Sequence, residues 1–185
     1  MNVNRSRSAR KAIQVVLATG VAVGASQAAV ADNVFLVIPG LPGESVDSKH
    51  KDAIDVLSFS QSVEGKQCPL IRVVKRVDKA SPGLAEAASS QRAFASATLS
   101  VVRGADSKAG QEYFTMTMSS VQVLGSSQSV SEQGSPYEEA VISPRSVTIT
   151  YRVQKPDGSL GDTVTSKIDN CVTAGSPGSG GGGPR

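Results

Sequence analysis

The chain has 185 residues, with 19 Lys and Arg against 16 Asp and Glu, one histidine, two cysteines and no tryptophan, for a formal net charge of +3. Four of the cations, Arg5, Arg7, Arg10 and Lys11, sit at the very start, and without them 15 basic residues face 16 acidic ones. A near-neutral domain gives no electrostatic reason to expect nucleic acid or an anionic membrane as a partner.

Residues 1–31 read as a secretory signal peptide. A basic start without acids leads into the short apolar run "AIQVVLATGVAVGA", and Ala29-Val30-Ala31 closes it with small residues at the alternate positions a signal peptidase reads. A membrane anchor would need about 20 apolar residues, whereas this run is shorter and broken by Gly20 and Gly24. No cysteine follows it for lipidation and no twin-arginine pair precedes it, so the expectation is Sec export with cleavage after Ala31. The mature chain is then secreted or periplasmic and has no membrane span.

Residues 32–173 are enough for one domain with a single core. Its opening stretch, "FLVIPGLPGESVDSKHKDAIDVLSFSQSV", has two alternating apolar halves, read as strands, around a charged loop from Gly40 to Asp55. "LIRVVKRV" from Leu70 predicts a third strand. In "DKASPGLAEAASSQ" the pattern changes: Ser81 can cap, Pro82 fits the first helical position, and Leu84, Ala85 and Ala88 share a face, which predicts one short helix. "AFASATLSVV" from Ala93 returns to strand.

"FTMTMSSVQVLG" places Phe114, Met116 and Met118 on one face and resumes one residue out of phase at Val121 and Val123, so a bulge is expected near Ser119 and Ser120. The two methionines read as core filling. "SSQSVSEQGS" reads as a loop or edge, and "GSPYEE" and "KPDGS" as turns. In "VTITYRV", Val147, Ile149, Tyr151 and Val153 share one face, opposite Thr148, Thr150 and Arg152, which is a strand with one buried side. Pro144, just before it, cannot donate to a ladder and points to an edge or bulge. Tyr113, Tyr137 and Tyr151 are too scattered in sequence for a base-stacking platform. The coarse result is a mainly β antiparallel domain, barrel or sandwich, carrying one short α-helix.

The tail, residues 174–185, is rich in Gly, Ser and Pro and reads as flexible. Its GxGxxG spacing at Gly178, Gly180 and Gly183 follows from composition, with no strand before it or helix after it. Cys68 and Cys171 form an even pair in an exported chain, which reads as a disulfide, with two separate thiols as the other reading. Neither has the neighbours of a zinc or redox motif.

No catalytic motif stands in the mature chain, and no cofactor site is expected. The densest cluster of ligand-type residues is the opening loop, where Glu44, Asp47, His50, Asp52 and Asp55 crowd together. A divalent metal could use such groups, but Lys49 and Lys51 flank the histidine and would repel a cation, and EF-hand spacing is absent. The preferred reading is a solvated or interface-forming loop, with Gly40 and Gly43 supplying backbone freedom and the charges pairing locally.

These residues carry a resemblance to a family. The opening stretch, with its G-x-x-G-E-S loop, K-H-K-x-x-I-D-V segment and L-S-F-S strand, resembles the haemolysin-coregulated protein (Hcp) family of type VI secretion. The likeness continues through "RVDKASPGLAEAASSQRAFASATLSVVR", "QEYFTMTMSSVQVLGSS" and "PYEEAVISPRSVTITYRVQKPDGSLG". It implies an antiparallel β-barrel of two packed sheets with a helix on one side, six copies in a ring, and rings stacked into a tube with a spike protein at its tip and effector cargo in its lumen.

On that basis Gly40, Gly43, Glu44, Ser45, Asp47, Lys49, His50, Lys51 and Asp55 are assembly-loop residues, and the function is structural rather than enzymatic. The leader and the cysteine pair lie outside the family's pattern. They leave a second reading, a stand-alone periplasmic or secreted β-domain that binds a partner as a monomer.

Overall fold

A computed structural model describes residues 32–104, 110–130, 134–169 and 171–172. The expected signal peptide and glycine-rich tail lie outside the described residues. Seven strands and one helix follow in chain order: β1 (Asp32–Val37), β2 (Ile54–Ser62), β3 (Leu70–Arg76), α1 (Ser81–Ser90), β4 (Ala93–Arg103), β5 (Gln111–Ser129), β6 (Tyr137–Gln154) and β7 (Leu160–Ile168). All strand pairings are antiparallel, in the spatial order β3-β2-β1-β4-β5-β6-β7, and β3 also pairs with β6. Six strands thus close into a barrel, and β7 hangs from β6 outside the closure.

Closure works because β6 is long enough for two partners on one edge. Its first third pairs with β3, from Tyr137 opposite Arg76 to Ile142 opposite Ile71. Its second half pairs with β7, from Val147 opposite Ile168 to Gln154 opposite Leu160. Pro144 falls in the gap between those partners, where its missing N–H deprives no ladder on that side, and it keeps Val121 of β5 as its opposite residue.

The phase slip in β5 is real, but it is not the bulge expected near Ser119 and Ser120: the register shifts lie at Val101/Val102 against β4 and at Val123/Gly125 against β6. Ser120 has a left-handed φ of 50°, and the pairs Ala97–Met118 and Phe94–Val121 keep β4 in register across it. Val147 opposite Met118 and Pro144 opposite Val121 do the same in β6. Three strands therefore turn their faces together along one line, so Met116, Met118, Val121 and Val123 all reach the core, each at most 1% exposed.

Several expectations change. "GSPYEE" is a turn only at its start, because Tyr137–Glu139 already belong to β6. "SSQSV" is the outer end of β5, paired with β6 as far as Ser129 opposite Tyr137. β7 has no counterpart in the periodicity: its apolar residues are few, its middle is exposed, and it is a strand because β6 offers it an edge. The helix is in place, but its N-cap is Ala80 without a side-chain cap, and Ser81 is buried inside the first turn. Its core face is Ser81, Leu84 and Ala87 with Ala88 partly buried beside them, while Ala85, expected on that face, is exposed.

One main core fills the barrel, around Leu36, Ile54, Ile71, Leu99, Met116 and Ile142. A second, small one lies outside the sheet wall, made of Phe35, Ala53 and Val102. Phe35 alternates with Leu36 and so points away from the barrel interior, yet it is only 4% exposed. The loop between β1 and β2 covers it.

Candidate assembly site

The β1–β2 loop leaves β1 through a turn in which Leu41 N–H donates to the Ile38 carbonyl (2.9 Å) and Gly40 takes a φ of 90°, which glycine adopts without strain. Leu41 is buried and packs against α1 at Gly83, where a Cβ would overlap the leucine side chain. The loop then doubles back on itself. Gly43 N–H donates to Asp52 O (2.8 Å), Ser45 N–H to Ala53 O (3.0 Å) and Asp52 N–H to Ser45 O (2.9 Å). The two limbs approach so closely at Gly43 that any Cβ would overlap the Ala53 carbonyl.

At its far end the loop is ordered by one carboxylate. Asp47 Oδ1 accepts from the backbone N–H of Lys49 (2.8 Å) and of His50 (2.9 Å) and lies 3.1 Å from His50 Nδ1. Burial pushes Asp47 upward, but these hydrogen bonds and the nearby imidazole outweigh it and hold its carboxyl below the ordinary range. The other ring nitrogen, His50 Nε2, lies 3.3 Å from Glu112 Oε2 on β5. Glu112 behaves alike: burial raises it, while hydrogen bonds from Ser100, Thr115 and His50 bring it below its usual value.

The imidazole also stacks on the Phe35 ring, with centroids 4.3 Å apart and planes within 4°. His50 is therefore a strut between two carboxylates and an aromatic face, with both ring nitrogens engaged. Lys49 Nζ donates to Gly110 O (3.1 Å), fixing the loop to the start of β5. On the opposite side Lys79, just before α1, pairs with Asp52 (3.0 Å) and gives its backbone N–H to Glu44 Oε1 (3.2 Å).

The predicted loop residues thus divide. Gly40 and Gly43 shape the backbone, Ser45, Asp47 and His50 tie it internally, and Lys49 ties it to the barrel. Glu44 is exposed while bonded to Lys79, Lys51 faces solvent, and Asp55, expected in the loop, is instead an exposed residue of β2 opposite Phe35. Of the five groups weighed as metal ligands, Asp47 and His50 meet while Glu44 and Asp52 bond to Lys79 instead, and among the described residues no group of three or more His, Cys, Asp or Glu could hold a metal ion. The sequence did not single out Val46, which stands at the loop's tip with 96% of its surface exposed. The whole arrangement can present a rigid apolar point with charges beside it.

Cys68 and Cys171 are bonded, with Cα atoms 4.7 Å apart across 103 residues of sequence. The bridge lies at the β6 hand-over: Cys171 Sγ sits 3.2 Å from the Arg145 carbonyl. Beside it Gln67 and Val172 form a short parallel bridge, with Cys68 N–H donating to Val172 O (3.0 Å) and Val172 N–H to Lys66 O (2.9 Å).

A buried charge network also escaped the sequence reading. Lys75 of β3 and Glu138 of β6 are opposite residues in the closing ladder and neither side chain has any exposure. Lys75 Nζ lies 3.0 Å from Glu138 Oε2, 2.8 Å from Asp78 Oδ1 and 2.9 Å from Ser81 Oγ, while Ser126 donates to Glu138 Oε1 (2.6 Å). The network ties barrel closure to the first turn of α1. Its signal is there in the alternation, since Lys75 continues the inward phase of Ile71 and Val73, and Glu138 that of Ala140 and Ile142. Tyr113 and Tyr151, far apart in sequence, also meet edge to face, with centroids 6.2 Å apart.

With this geometry in hand, known proteins can be compared. The profile of the family described as "Type VI secretion system effector, Hcp" matches residues 35–151. The crystal structure of Hcp1 from Salmonella typhimurium is similar, with 30% identity over 75% of this chain and 94% of that one and a TM-score of 0.67. Hcp2 from Salmonella typhimurium has 30% identity, covering 74% and 94%, with a TM-score of 0.59. A type VI secretion system effector from Yersinia pestis has 26% identity, covering 74% and 98%, with a TM-score of 0.62. No curated protein matches the sequence.

Proposed function

The chain belongs to the Hcp family of type VI secretion system effectors, and from that membership we propose that it is a non-enzymatic structural protein, assembling into hexameric rings and exported from the cytoplasm. The observation that carries the assembly reading is the β1–β2 loop. It is zipped along its limbs, packed over its own small core and tied to α1 and β5, so its ordering cost is met within the subunit. What it holds out is Val46, with exposed Glu44 and Lys51 nearby, a composition suited to an apolar contact rimmed by charge. Export is supported by the leader sequence and by the bonded cysteine pair, which persists in an oxidising compartment.

Native mass measured on protein recovered from the periplasmic or culture fraction tests both parts. The expected species begins at Asp32 and has six times the chain mass. A monomer at high concentration would overturn the ring and favour a stand-alone binding domain, and full-length protein confined to the cytoplasm would overturn export. Val46→Asp separates assembly from folding: the oligomer should weaken by at least about tenfold in dissociation constant, roughly the cost of desolvating one unpaired charge at a contact, with the thermal midpoint of the subunit unchanged.

A further inference from the structure

We infer that the Cys68–Cys171 disulfide is a redox-responsive clasp on the C-terminal segment, opened by attack of a small thiol on Cys171. Three observations carry this. First, the bridge lies outside the closed hydrogen-bond circuit of the barrel. The circuit runs β3-β2-β1-β4-β5-β6 and back to β3, and neither cysteine belongs to a strand. What the bridge joins is the turn between β2 and β3 and the segment after β7, over the point where β6 passes from one partner to the other.

Second, among the described residues a short ladder joins Val172 of that segment to the turn between β2 and β3. Two backbone hydrogen bonds, Cys68 N–H to Val172 O and Val172 N–H to Lys66 O, are its ladder. The strand before it is exposed from Asp162 to Lys167, so it buries few apolar groups that could keep it in place.

Third, the two sulfurs differ in access. Cys68 is 6% exposed, while Cys171 is half-buried and lines an open depression of about 290 Å³ with Gly65, Lys66, Gln67, Ile168 and Asp169. Against Asp169 in its wall stand two lysines, Lys66 in the same wall and Lys167 with its Nζ 2.9 Å from Asp169 Oδ2, and their charge favours an incoming thiolate. The thiolate bonds to Cys171 Sγ as the Cys68–Cys171 bond breaks, and Cys68 leaves as a thiolate that takes a proton from water. A second thiolate attacks the external sulfur of the mixed disulfide and expels the Cys171 thiolate, so two thiols supply the two electrons and become one external disulfide.

Glutathione is the probe. Oxidised protein is treated briefly, quenched with iodoacetamide and peptide-mapped, while hydrogen exchange is followed in parallel. The expected map has glutathione on Cys171 and the alkyl group on Cys68, exceeding the reverse pattern by at least about tenfold because access differs. On full reduction the amides of Cys68 and Val172 should exchange at least about tenfold faster through a local opening, while the β3–β6 ladder stays formed and exchanges only through global unfolding. The Cys68→Ser/Cys171→Ser variant should reproduce the reduced exchange pattern. Glutathione on Cys68 to an equal or greater extent would overturn the direction of attack. Unchanged protection of the two clasp amides, or loss of the β3–β6 ladder together with them, would overturn the clasp.

Discussion

Replacing Lys75 with methionine keeps most of the length of the side chain and removes its charge from a place with no exposure at all. Glu138, equally buried, then loses the donor on Oε2 and keeps the Ser126 hydroxyl on Oε1. Asp78 is 11% exposed and still accepts from the Ala80 N–H (2.9 Å), so it suffers less. Breaking a buried pair by removing one partner costs about 3–5 kcal/mol, because the other charge stays desolvated. For a domain of this size each kcal/mol moves the thermal midpoint by about 3–5 °C, which gives a fall of roughly 10–25 °C.

The double variant Lys75→Met/Glu138→Leu removes both charges and should recover at least about 2 kcal/mol of the summed single losses. Denaturant unfolding of oxidised protein, followed by far-UV circular dichroism at one fixed protomer concentration, measures all three variants; the chain has no tryptophan to follow instead. A loss below about 1 kcal/mol for the single variant, or simple additivity in the double, would refute the claim that the pair acts as one desolvated unit.

Gly43→Ala should cost about 1–3 kcal/mol by forcing the loop limbs apart, whereas Gly125→Ala, with open space around its Cβ position, should stay within about 0.5 kcal/mol; equal effects at the two sites would discount the close approach. Asp47 and Glu112 have carboxyls held below their ordinary values of 3.8 and 4.5, so their ionised forms stabilise the fold above that range and the contribution is lost as pH falls through and below it. Asp47→Asn should therefore flatten the acid limb of the stability curve below about pH 4.5 and leave the slope from pH 7 to 9 unchanged, and an identical acid limb would show that the carboxylate carries no such linkage. Reduction of the disulfide should lower global stability by up to about 4–5 kcal/mol, the chain-entropy value for a loop of this length, read as a shift in denaturant midpoint; an unchanged midpoint would contradict it.

Much of the barrel was legible because its strands carry the period-two pattern that a one-sided core demands. The strand around Val147 to Val153, the methionines of β5, the phase slip at Ser119 and Ser120 and the edge implied by Pro144 all follow from alternation and from proline's missing donor. The buried side expected of the first of these stops at Ile149, however, since Tyr151 and Val153 lie beyond the core and are exposed. The start of β6 was hidden for a related reason: Tyr137 and Glu138 look like turn residues until the opposite charge of Lys75 is known to face them. β7 was illegible because its side chains bury little, and a strand held by a neighbour's free edge needs no apolar face of its own.

The loop divides along the same line. Its composition, its glycines and its family resemblance were in the sequence. That His50 stacks on Phe35, that Asp47 ends the loop, and that Val46 is left outside were decided only by the tertiary structure, because they depend on which outward face of β1 the loop folds back to cover. The sequence by itself determined the alternation, the helix and the presence of two cysteines. The closing of β3 onto β6, the meeting of those cysteines across 103 residues and the burial of Lys75 against Glu138 came from the fold, since each joins positions that local pattern places on separate strands and only barrel closure brings together.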